Sequence, residues 1–305
     1  MKKAVLLFFV VAVVAVVAVI GVIRHGGNPA GGGFSPSLSD SGKSIRQEGT
    51  GKAEDFATIP TDRPDVRQIV TPGTASTAER LRLVHALPDD LSETDREALA
   101  TFLKHGRNDE IELVIKNDLM NKLRNQRTLP PELTGVLLGL YADRGQNITV
   151  RIYALQHLRP QYELTREAEI REAFYEALNE TDNEIAGGAL LALRYLSMEY
   201  PEEFNTALIS RRAAEIALDP GVNSLTRLTA VQVAAMFNHT EIEPEIRKLA
   251  EDSAASLTLR LAAIGGLGLL KCPESVPVLE RLARTQGPEG KAARTALRKI
   301  NRFKR

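Results

Sequence analysis

The chain has 305 residues, with 39 Lys plus Arg against 39 Asp plus Glu, a single Cys and no Trp. This neutrality argues against nucleic acid as the main ligand, because phosphate contacts supply most non-specific affinity. One cysteine allows no intrachain disulfide, and the low aromatic share suits Ala/Leu helix packing better than an aromatic-caged ligand site.

The first predicted element is a membrane anchor. Met1-Lys2-Lys3 precedes an unbroken apolar run from Ala4 to Ile23, closed by Arg24-His25-Gly26. At about 1.5 Å per helical residue such a run spans a hydrocarbon core of about 30 Å. Gly21-Val22-Ile23-Arg24 offers no good small-residue cleavage site. We therefore expect an uncleaved signal-anchor over residues 1–25, with secretion after signal cleavage as the alternative. Lys2 and Lys3 against Arg24 place the N-terminus in the cytoplasm and the bulk outside. The expected location is a bacterial inner membrane, single-pass, with the repeat domain periplasmic.

Residues 26–76 open on Gly26-Gly27-Asn28-Pro29-Ala30-Gly31-Gly32-Gly33 and carry Pro36, Pro60, Pro64 and Pro72. No helical or strand period survives there, so the segment reads as a disordered linker. Its apolar patches, Phe56-Ala57-Thr58-Ile59 and Val66-Arg67-Gln68-Ile69-Val70, read as unstructured.

Residues 77–129 form a predicted N-terminal helical cap. Ser92-Glu93-Thr94-Asp95 is a helix start, since a Ser cap and carboxylates in the first turn satisfy orphan amides and complement the helix dipole. The pair runs from about Ser92 to Lys104 and from Asp109 to about Asn125, with Ile111, Val114, Ile115, Leu119 and Leu123 as one buried stripe. Five hairpins are predicted over residues 130–305. Small residues at their hearts, Ala154, Ala189, Ala230, Ala263 and Ala296, recur at steps of 35, 41, 33 and 33 residues. Such periods indicate a solenoid in which each unit is stable only against its neighbours. Gly187-Gly188 and Gly265-Gly266, inside predicted helices, read as sites of close helix packing.

Val150-Arg151-x-x-Ala154-x-x-x-Leu158, Arg227-x-x-Ala230 and Arg260-x-x-Ala263-x-x-x-Leu267 resemble the second helix of short HEAT repeats of the phycobilisome-lyase type, over about residues 130–301. The resemblance implies a ladder between successive repeats made by Arg151, Arg227 and Arg260 with the loop aspartates Asp219 and Asp252. Ala186 and Ala293 stand where arginine is expected, which breaks the ladder in the second and last units. The expected fold is all-α: a right-handed α-solenoid of HEAT-like helical hairpins, preceded by one transmembrane helix and a disordered linker.

For chemistry, no two of His25, His85, His105, His157 and His239 lie at helical metal-ligand spacing. There is no His-Glu step, the dipeptide from which a HEAT-like hydroxylase family builds a di-iron site. His157 and His239 read as surface histidines. Cys272, before Pro273, stands at a helix N-terminus that lowers a thiol pKa, but no base lies near it in sequence. We expect no catalytic, cofactor or metal site, and a membrane-tethered scaffold holding a protein or peptide partner in its groove. The groove candidates are Gln156, Arg194 and Gln232. The competing readings are a lyase-like or maturation factor acting on a tetrapyrrole or modified protein, and a structural spacer.

Overall fold

The computed structural model describes residues 59–302. The apolar run 4–23, the linker before residue 59 and the last three residues lie outside them. Among the described residues there are fourteen α-helices and no strand. No described helix is long and apolar enough to cross a membrane.

The helices pair into seven consecutive hairpins: α1 (Pro64–Val70) with α2 (Thr77–Ala86), α3 (Glu93–His105) with α4 (Glu110–Arg124), α5 (Leu133–Ala142) with α6 (Ile148–Thr165), and α7 (Ala168–Ala177) with α8 (Ile185–Glu199). Then follow α9 (Thr206–Leu218) with α10 (Ser224–Met236), α11 (Glu243–Glu251) with α12 (Leu257–Leu270), and α13 (Val276–Ala283) with α14 (Pro288–Arg302). Local chemistry sets many of the starts. Ser76, Ser92, Asp109, Asn147, Asn205, Asn223 and Ser256 each accept an N–H of the first turn.

The even-numbered helices pack on one another without interruption from α2 to α14, whereas the odd-numbered ones meet their counterparts closely only from α1 to α7. The array is therefore an α-solenoid whose even helices form the tighter, inner layer. Small residues permit that approach. A Cβ added to Gly187 in α8 would stand 3.3 Å from the Thr226 Cα in α10, and one added to Gly268 in α12 would stand 2.8 Å from the Ala296 Cα in α14. Gly266 likewise faces Val231 and Ala235, but nothing lies within 4 Å of such a Cβ at Gly265, so only part of the expected glycine packing is present.

Two expectations are corrected. The linker ends earlier than residue 76, because α1 falls inside it with Val66, Ile69 and Val70 fully buried. Their i, i+3, i+4 spacing is one helical face, and Pro64 opens this helix at its first turn, where a missing N–H costs nothing. The buried stripe of α4 is also rotated from its expected position: Ile111 is 49% and Val114 45% exposed. The inward face carries Glu112, Ile115, Lys116, Leu119, Met120 and Leu123. Two charged residues replace two aliphatic ones because each finds buried partners.

Candidate functional site

One wiring pattern recurs along the inner helices. A helix leaves its last carbonyls without intrahelical partners, and a cation placed there satisfies them and complements the dipole. Arg80 Nε donates to Ile69 O at 2.9 Å, Lys116 Nζ to Gly106 O at 2.7 Å and Arg151 Nε to Tyr141 O at 2.7 Å. Arg227 Nε donates to Ala217 O at 2.9 Å and Arg294 Nη1 to Ala283 O at 2.5 Å. In each case the second helix of a hairpin caps the end of the first. The helices of the expected cap, residues 77–129, together with α1 from the expected linker, thus share this wiring with later hairpins.

Two of these cations, and Arg260 of α12 beside them, also reach the next hairpin. Arg80 engages Glu112 in α4, Arg151 donates to both Glu180 oxygens at 2.8 Å, and Arg260 donates to Glu289 Oε1 at 3.1 and 2.8 Å. The ladder implied by the HEAT resemblance is therefore corrected in its acidic members, which are glutamates of the following unit. Asp219 and Asp252 instead accept the N–H of Gly221 at 2.8 Å and of Ala254 at 2.9 Å, closing their own turns. Immediately after a helix end, an Asx turn to the N–H two residues on is the shorter reach. At Ala186, where the pattern lacks its arginine, Thr226 Oγ1 of the next inner helix donates to Asn183 O at 2.6 Å.

His157 is not on the surface. It is 6% exposed between α4 and α6, with Nδ1 3.5 Å from Arg124 Nη1 and Nε2 3.2 Å from Asn117 Oδ1. Burial first, then the Arg124 charge, push its pKa down to about 3, so it is neutral, and its partners assign the proton to Nε2. His239 is half-buried and meets Ser210 at 3.0 Å. The Cys272 thiol is pushed up, by burial and then by Glu243 and Glu274, which opposes the activation expected of a helix N-terminus. Among the described residues no group of three His, Cys, Asp or Glu side chains is placed to hold a metal ion. Clefts of about 390 and 350 Å³ lie at the N-terminal end, beside α1 and beside α2 and α4.

The groove candidates fall on the inner layer but not in one cluster. Gln156 in α6 is exposed and Gln232 in α10 half-buried; both stand two residues after the repeat's small residue, and Leu191 fills that position in α8 between them. Arg194 is five residues after it and belongs to a different row: Arg124, Arg159 and Arg194, in α4, α6 and α8 at steps of 35 residues. The sequence analysis does not single out Arg124 and Arg159, although their spacing equals that of Leu119, Ala154 and Ala189. Position in the repeat aims each arginine at the seam with the next inner helix. Arg124 meets His157, and the Arg159 guanidinium lies 4.6 Å from the centre of the Tyr195 ring while bonding Glu163 at 2.8 Å. Arg194 differs. Its Nε is buried without an acceptor, and the positions matching His157 and Tyr195 hold Val233 and Met236 in α10. Burial lowers the pKa of both Arg124 and Arg194, and the neighbouring Arg159 charge adds to the effect on Arg124. Met198, one turn beyond Arg194, is 62% exposed, and Met236 across the seam is 44% exposed.

Residues 211–298 match HEAT repeats. No curated protein matches the chain. A solved structure of human deoxyhypusine hydroxylase in complex with glycerol is similar at a TM-score of 0.35 and 15% identity, over 78% of this chain and 95% of that one. Similarity at that level carries no argument about activity.

Proposed function

We propose that this chain, whose residues 211–298 match HEAT repeats and whose first three described hairpins carry the same wiring, is a non-catalytic scaffold that holds a protein or peptide partner on its inner helices. The observation that carries this reading is the α8–α10 seam, where a partly buried arginine without an acceptor stands beside two exposed methionines. Packing leaves such groups unsatisfied, and a bound chain satisfies them; polarizable, flexible Met side chains adapt to a partner's shape. Fold alone assigns no partner; the side chains at that seam support one.

The scaffold is tethered to a membrane through the apolar run 4–23, with the repeats on the outer side of a bacterial inner membrane. Length, apolarity and flanking charge of that run support the tether. Capture of the full-length protein from cross-linked membranes, followed by mass spectrometry, tests the reading. A recurrent protein partner is the expected result. A purified protein that is coloured or bears a metal, with no protein partner, would replace the scaffold by a maturation enzyme.

A further inference from the structure

The scaffold reading names no partner chemistry, but the arginine row does. In a solenoid, ligands are gripped by positions that recur on the inner layer, because each repeat offers the same side-chain direction to whatever lies along the array. Arg124 and Arg194 occupy one such position, two units apart. Arg124 bonds only neutral groups, Asn121 Oδ1 at 3.1 Å and His157 Nδ1 at 3.5 Å. The Arg194 side chain forms no hydrogen bond or ion pair among the described residues, and its Nε is shielded from solvent.

No carboxylate bonds either member of this pair, although Glu163 acts on Arg124 through space. Glu163 bonds Arg159, Asp118 lies against His85 at 2.9 Å, and α10, which faces Arg194, contains no acidic residue. Glu199, at the end of α8, sits beside Tyr195. Lys122 adds a further positive charge on α4, drawn to Asp89 at 2.8 Å. A guanidinium nitrogen shielded from water without an acceptor is costly, and the half-buried Arg194 fork matches a carboxylate with two parallel bonds.

We propose that an extended, acidic protein segment lies across α4, α6, α8 and α10, with carboxylates on Arg124 and Arg194 and an apolar side chain against Met198 and Met236. The proposal deepens the scaffold reading and rests on it. Spacing supports the extended form. Neighbouring helix axes are about 8–10 Å apart, so Arg124 and Arg194 are separated by roughly 16–20 Å, the span of about five or six extended residues at about 3.3 Å each. A helical ligand would need about twelve residues at about 1.5 Å for the same span, twice the length of chain.

Fluorescence anisotropy of the full-length chain with a short labelled peptide tests this, the peptide carrying two Glu residues about six apart and a Leu about two residues beyond the Glu that meets Arg194, on the same face of the strand. Expected are measurable binding that weakens with added salt, and a loss of about tenfold or more when Gln replaces Glu in the peptide or in Arg194→Gln. Met198→Glu, which sets a like charge beside the contact, is expected to abolish binding. Lys291→Gln, an exposed cation on α14, should leave it unchanged. Equal affinity for the Glu and Gln peptides, or wild-type affinity in both Arg194→Gln and Met198→Glu, would overturn the proposal. Displacement of the peptide by inorganic phosphate at comparable concentration would also overturn it, because the row would then be a small-anion site. A partner captured equally well by wild type and Arg194→Gln would sink the acidic segment while leaving the scaffold reading intact. Failure to capture any partner would count against the scaffold reading, independently of the peptide's charge dependence.

Discussion

Arg151 joins two hairpins: its Nε caps the end of α5 and its Nη2 meets Glu180 beyond α7, with both side chains buried. Removing one member of a buried pair strands the other, so Arg151→Met is expected to cost about 3 kcal/mol in denaturant unfolding. Arg260 and Glu289 are each about one-fifth to one-quarter exposed, and Arg260→Met should cost about 1 kcal/mol, since water screens that pair. Equal losses at the two sites would contradict this ranking. His157 supplies a pH signature. Its folded-state pKa of about 3 lies below the ordinary 6.5, so the unfolded chain takes up the proton first and stability is lost as pH falls from 6.5 towards 3. The loss is on the order of 4 kcal/mol at most. Thermal melts of His157→Gln should show a shallower decline over that window than wild type. Parallel profiles would mean that His157 is not buried as described.

At the scale of elements, spacing between inner helices is set by single small residues. Gly268 faces Ala296 most tightly, and Ala263 is fully buried in the same helix. Gly268→Ala and Ala263→Leu are each expected to destabilise by about 1–3 kcal/mol through overpacking, read as a lowered Tm. Gly265→Ala, with open space around it, should be neutral or mildly stabilising because alanine is the better helix former. The sequence carried the hairpin order and many helix starts, since caps and 3.6-residue periodicity are local signals, as at Ser92 and Asp109. The orientation of α4 was hidden, because Glu112 and Lys116 look like surface residues until Arg80 and the Gly106 carbonyl are placed beside them. Three buried residues amid prolines concealed α1 in the same way. The acidic half of the ladder was misassigned because an aspartate eight residues before its arginine and a glutamate 29 residues after it, as Glu180 is to Arg151, are equally plausible in sequence. In the candidate site Arg194 was legible as a polar residue on an inner helix. Its lack of an acceptor was not, for that depends on α10 offering Val233 and Met236.

At the scale of the molecule, five of the seven described hairpins share one wiring, and each hairpin depends on its neighbours for burial. Such an array offers a long face on which its own packing leaves few polar groups over, and Arg194, beside the exposed Met198 of the same helix, is one of them. Deleting residues 1–24 is expected to turn a membrane-bound product into a soluble one with an unchanged circular-dichroism melt. A product that stays membrane-bound in carbonate extraction would remove the tether from the account. Site-specific photo-cross-linking in the native cell tests the central claim most directly, with the cross-linker placed in turn at Met198, at Met236 and at the exposed Glu172 of outer helix α7. The account predicts one and the same protein adduct from Met198 and Met236 and none from Glu172; adducts from Glu172 alone, or no protein adduct at the seam, would contradict it.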